Sequence, residues 1–141
     1  MNCLRHELSY GHFGRELKTD KTKDMKENKL VILSKEFAVD IVTVCADIQE
    51  NRRYNVLVNQ LLRSGTSVGA NIHEANYAAS RADFTNKLQI ALKECYETDY
   101  WLDLFKDSKL MSQEKFEHLH SQCSKIRRLL IESINTTKAN E

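Results

Sequence analysis

From Leu57 to Ala75 the residues Leu57, Leu61, Gly65, Val68, Ile72 and Ala75 recur in steps of four, four, three, four and three. A stripe of that period belongs to one face of an α-helix. Its content is unusual, because from Leu62 to Ala75 small and hydroxylated residues stand where bulky ones are expected. Gly65 and Gly69 lie four apart on one face, and each costs about 1 kcal/mol of helix propensity relative to Ala. Small residues at that spacing let another backbone come close. The segment is therefore read as a bundle helix that also carries an assembly surface, with Gly65 and Gly69 at an oligomer interface.

The rest of the chain offers partners of the same kind. It has 141 residues, no proline and only four glycines, which disfavours strands joined by tight turns and favours helices throughout. A first helix is expected from Lys35 to Asn51, with Ser34 as its N-cap and Phe37, Ile41, Val44, Cys45 and Ile48 as its stripe. The polar run Asn51 to Asn55 interrupts the period, and the second helix is expected from Val56 to about Ala79. Ser80 followed by Asp83 is a weak capping box that opens a third helix, whose seam is Phe84, Leu88, Ala91, Cys95, Thr98, Leu102 and Phe105. After the short turn at Asp107 to Met111, Ser112 caps a fourth helix with the face Phe116, Leu119, Cys123, Ile126, Leu130 and Ile134. Four amphipathic helices on short connections predict an all-α, antiparallel up-down-up-down four-helix bundle over residues 25–135. Residues 136–141 read as a frayed tail. Residues 1–24 hold no sustained period and read as a disordered arm or an upstream extension ahead of a natural start at Met25.

Lys and Arg number 21 against 20 acidic residues, so no global field selects nucleic acid. No apolar run approaches the roughly 18 residues of a membrane span, and the first residues lack the apolar core of a signal peptide, so a cytoplasmic chain with no membrane partner is expected. Cys45, Cys95 and Cys123 fall on apolar faces and read as buried free thiols.

Several polar groups invite a functional reading. Ser67, Asn71 and Glu74 are spaced i, i+4, i+7 beside the apolar seam. With Arg63, Glu94 and Glu97 they are read as a polar network or interface, in which Arg63, Lys87 or Lys93 would serve the carboxylates. Tyr96, Tyr100 and Trp101 exceed what one small core needs, which points to a subunit interface. Lys125, Arg127 and Arg128, with Arg52 and Arg53 in the first loop, form a basic patch that phosphates would suit if assembly repeats it. Enzyme signatures are weak. Glu94-x-x-Glu97 and Glu117-x-x-His120 fall short of a di-iron set, which needs two Glu-x-x-His pairs. His118 and His120 are too close along a helix to share an ion easily, and Cys3, His6 and His12 lack a fourth zinc ligand. There is no Gly-x-Ser-x-Gly, and within residues 25–135 there is no Arg–His spacing of the HEPN ribonuclease type. No cofactor, metal or catalytic residue is expected.

The run Leu61 to Ala75, with Ser80, Asp83-Phe84, Leu88, Ile90-Ala91-Leu92, Glu94, Glu97 and Trp101-Leu102, resembles the bacterial 23S rRNA intervening-sequence proteins. The likeness covers about Leu30 to Ile134. The resemblance implies a four-helix protomer assembling as a ring-like homopentamer. Some such proteins are encoded inside intervening sequences of 23S ribosomal RNA genes. Others resemble the basic accessory protein of diversity-generating retroelements, which binds reverse transcriptase and RNA. This chain departs from that branch in charge: without residues 1–24 it has 16 basic and 16 acidic residues. The expectation is a non-enzymatic oligomer in a structural or adaptor role with RNA. The alternative is a homo-oligomeric scaffold for a protein partner with no nucleic-acid role.

Overall fold

A computed structural model describes residues 21–50 and 52–139, the side chains of 21–28 and of Arg52 excepted. It contains four long helices, α1 (Lys21–Gln49), α2 (Asn55–Ala75), α3 (Arg81–Asp107) and α4 (Gln113–Ala139), with a 3₁₀ turn at Arg52–Tyr54. α1 packs on α2 and α4, and α3 packs on α2 and α4, while the diagonal pairs do not approach among the described residues. Side-chain contacts run in opposite senses across each seam: Cys45 meets Val58 where Ser34 meets Gly69, and Arg63 meets Glu94 where Glu74 meets Lys87. The same reversal holds between α3 and α4, where Cys95 meets Cys123 and Lys106 meets Phe116, and between α1 and α4, where Asp40 meets Gln122 and Asp47 meets Lys115. The bundle is therefore antiparallel, up-down-up-down.

Its core follows the expected stripes, with Phe37, Ile41, Leu61, Val68, Leu88, Leu102, Phe105, Leu119, Ile126 and Leu130 fully buried, but Val58 takes the place expected of Leu57, and Leu57, Ile48 and Phe84 are only partly buried. Gly65 faces Ile41, and a Cβ there would lie 2.9 Å from both of its γ carbons. A Cβ on Gly69 would lie 3.2 Å from the Ser34 carbonyl oxygen. The two glycines thus bring α1 and α2 together inside one protomer. This corrects the reading of Gly65 as an oligomer contact, since it is buried.

The ends show why the helices begin and stop where they do. The Ser80 hydroxyl accepts from the Asp83 amide at 3.1 Å, and the Asp83 carboxylate reaches back to the Ala79 amide at 3.2 Å. Ser112 caps α4 through the Lys115 amide at 3.2 Å. α3 closes in a Schellman turn: Leu110 N–H donates to Phe105 and Lys109 N–H to Lys106, with Lys109 at φ 58°. Ser34 is not a cap. α1 starts at Lys21 and runs through it, and the buried Ser34 hydroxyl donates to the Val31 carbonyl at 3.1 Å. α2 ends at Ala75, four residues short of the expected end, and α4 stays helical to Ala139 with Thr137 buried. Cys3, His6 and His12, and residues 1–20 of the expected arm, lie outside the described residues.

Candidate functional site

A wide groove runs along the outer surface between α1 and α2. It is lined by Val31, Ser34, Lys35, Ala38, Val39, Val42 and Thr43 from α1 and by Thr66, Gly69, Ala70 and His73 from α2, and its volume is about 720 Å³. The groove exists because the α2 side is built from a glycine, an alanine and a threonine, which leave space where larger residues would fill it. Val39 and Val42 stand on its α1 wall 53% and 49% exposed, and Ile32 is also half exposed on α1. Exposed β-branched residues in a row are not required by the fold, since the core stripe of α1 lies on its other side.

The α2–α3 seam carries two ion-pair clusters on its outer edge. Arg63 reaches Glu94 at 3.4 Å and also bonds Glu97, whose carboxylate accepts the Trp101 indole N–H at 3.2 Å. The Arg63 guanidinium holds the Glu97 carboxyl below its ordinary value, and Glu97 in turn raises that of Arg63. Glu74 pairs with Lys87 at 2.5 Å. Of the expected network, Arg63, Glu94 and Glu97 are brought together, and Glu74 takes Lys87 on the surface. Asn71 and Ser67 do not join them: the Asn71 amide donates to the Ser67 carbonyl one turn back, at 2.8 Å. The Ser67–Asn71–Glu74 stripe is therefore not one network, because an i−4 backbone carbonyl is the nearest acceptor for an Asn inside a helix.

Two clusters were not foreseen. Asp99 bonds Arg127 and also His120, the latter at 3.0 Å, while His120 stacks on Phe116 and Arg127 lies over the Tyr96 ring. On the opposite flank of α4, Asp40 accepts from Gln122 at 2.8 Å and meets His118 at 2.9 Å. The His118 contact, with help from the Gln122 amide, lowers the Asp40 carboxyl from its ordinary value despite partial burial. His118 and His120 project about 200° apart on the helix, so they serve different seams. Each cluster depends on the register between two helices, so spacing within either segment gives no signal of it.

The aromatic residues divide. Trp101 is half buried against the core, whereas Tyr96 and Tyr100 on α3 are 55% and 61% exposed. The basic patch divides as well. Arg127 is tied to Asp99 and drops out as a free cation, which corrects its place in that patch. Lys125 and Arg128 are exposed on the middle of α4. Arg53 is exposed at the end of the bundle where α4 begins, about 18 Å of helix away from Lys125. The Arg52 side chain lies outside the described residues.

Among the described residues no group of three His, Cys, Asp or Glu could hold a metal ion. Cys45, Cys95 and Cys123 are free and buried. Burial raises the Cys45 thiol to about 11, and contact with Cys95 together with burial raises that of Cys123. No described helix is long and apolar enough to cross a membrane.

Comparison with known proteins agrees with this architecture. The model of the 23S rRNA-intervening sequence protein family matches residues 26–132. A solved structure from Bacteroides thetaiotaomicron is 46% identical, with a TM-score of 0.76, and covers 79% of this chain and 99% of its own. It is described as a protein of unknown function from the S23 ribosomal protein family. No curated protein matches this chain.

Proposed function

The chain belongs to the 23S rRNA-intervening sequence protein family, and from that premise we propose that it acts without catalysis, as a self-assembling bundle in a structural or adaptor role with ribosomal RNA or another RNA in the cytoplasm. The observation that carries the reading is the apolar groove between α1 and α2, with Val39 and Val42 half exposed along it. Apolar area gains about 25 cal/mol per Å² on leaving water, and assembly is the simplest way to collect it. The pentamer implied by the family resemblance is the expected size.

Assembly also supplies the route to RNA. A protomer of net charge +1 has no field to hold a phosphate backbone. Repeating Arg53, Lys125 and Arg128 around a ring multiplies weak phosphate contacts that act together. The second reading, a scaffold for a protein partner with no nucleic-acid role, draws support from the loss of Arg127 to Asp99. Retention on immobilised ribosomal RNA across a salt gradient separates the two. The RNA reading expects salt-sensitive retention that Lys125→Glu with Arg128→Glu abolishes. No retention of the unaltered protein, or retention that the double variant leaves unchanged, refutes this route and favours the scaffold.

A further inference from the structure

The groove has a counterpart on the same molecule. In the order α1, α2, α3, α4 around the bundle, the α1–α2 groove lies opposite the outer face of α3 and α4. On that opposite face α3 presents Tyr96, Tyr100 and Asp103 at i, i+4, i+7, all exposed, with Asp107 a turn further on. We propose that the outer stripe of α3 from one copy seats in the α1–α2 groove of the next, Tyr96 and Tyr100 covering Val42 and Val39 and Asp103 meeting Lys35. This inference rests on the self-assembly reading and names the two surfaces that meet.

Shape, spacing and charge agree. The groove is walled by Ala38, Thr66, Gly69 and Ala70, and small residues admit an aromatic ring where larger ones would exclude it. Lys35 to Val42 covers seven helical steps, and so does Tyr96 to Asp103, so both stripes extend about 10 Å and match when the two helices run antiparallel. The groove lining holds Lys35 and His73 and no carboxylate. At the far end of the α3 stripe Asp103 and Asp107 share one cation, Lys106, at 2.9 and 3.6 Å, leaving an acidic excess. Tyrosine suits such a contact, since its ring buries against valine while its hydroxyl stays at the wet rim. A patch on one side that fits a different patch on the other makes a heterologous contact, which generates rings when the rotation closes.

The test uses the full chain and two variants, each disabling one surface. The groove variant is Val39→Glu with Val42→Glu, and the ridge variant is Tyr96→Glu with Tyr100→Glu. All four side chains are exposed, and far-UV circular dichroism checks that helicity is kept. Each variant alone is expected at the 16.4 kDa monomer mass by light scattering. Mixed in equal amounts, they should form a capped dimer of about 33 kDa, two chains of 16.4 kDa, because one intact groove and one intact ridge remain. A charge exchange guards against loss of folding. Lys35→Asp and Asp103→Lys should each weaken assembly, and the chain carrying both should recover it. An assembled ridge variant, or a mixture that stays monomeric, overturns the pairing while leaving self-assembly intact. A monomeric unaltered protein overturns both.

Discussion

Substituting Gly65 by alanine sets two effects of known size against each other. Removing a glycine from a helix interior gains about 1 kcal/mol of propensity. Against that, the new methyl would lie 2.9 Å from Cγ1 and Cγ2 of Ile41 and 3.2 Å from its Cδ1. Ile41 is fully buried, and both γ carbons spring from one Cβ, so every staggered rotamer leaves at least one of them on that side. The clash must be relieved by moving α1 off α2, and overpacking of this kind costs about 1–3 kcal/mol. The net expectation for Gly65→Ala is destabilisation of about 1 kcal/mol, or roughly 4 °C for a domain this size. Urea unfolding at matched chain concentration reads it, since assembly would make stability concentration-dependent. Ile41→Ala alone should cost about 2–5 kcal/mol through the cavity it leaves. In the double variant the methyl introduced at position 65 enters that cavity, so the losses should fall short of additive by about 1 kcal/mol or more. A rise in stability for Gly65→Ala, or strict additivity with Ile41→Ala, would refute the claim that this glycine sets the α1–α2 approach.

Three further outcomes follow from particular groups. Lys109 holds φ 58° at the end of α3, where a side chain costs about 1 kcal/mol, so Lys109→Gly should raise the thermal midpoint slightly. A lowered midpoint would mean that the lysine side chain contributes more than its backbone costs. Asp40 and Glu97 have carboxyls lowered in the folded protein by His118 and Arg63. Their contribution is complete above the ordinary carboxylate values of 3.8 and 4.5 and is lost as pH falls through the lower folded values. Asp40→Asn with Glu97→Gln should therefore flatten the loss of stability below about pH 4.5, and an unchanged acid limb would contradict the assignment. In a Cys3→Ser background the native protein should give almost no rapid thiol titre, because Cys45, Cys95 and Cys123 are buried and the Cys45 thiol is raised to about 11. Fast reaction of even one thiol before unfolding would show that the core opens more readily than its packing implies.

Much of the bundle could be read from periodicity because each helix buries one stripe and the steps of three and four are local. Ser80 and Ser112 were recognisable as caps because the amides they accept from lie within three residues. Ser34 misled for the same chemical reason, since a serine hydroxyl satisfied by a carbonyl one turn back looks in sequence like one awaiting an amide. Leu30, buried seven residues before Phe37, was the sign that the stripe continued through it. The surface was less legible. Gly65 announces a close approach without saying whether the neighbour is in the same chain, and Arg127 looks free until Asp99 is set opposite it. Both depend on how two helices align, which spacing within one helix does not encode.

Self-assembly through the outer faces is the claim on which the functional reading stands, and solution mass tests it most directly. Light scattering across a size-exclusion peak should give an oligomer, with five chains of 16.4 kDa giving about 82 kDa. A single peak at 16.4 kDa that persists at high concentration would contradict the account.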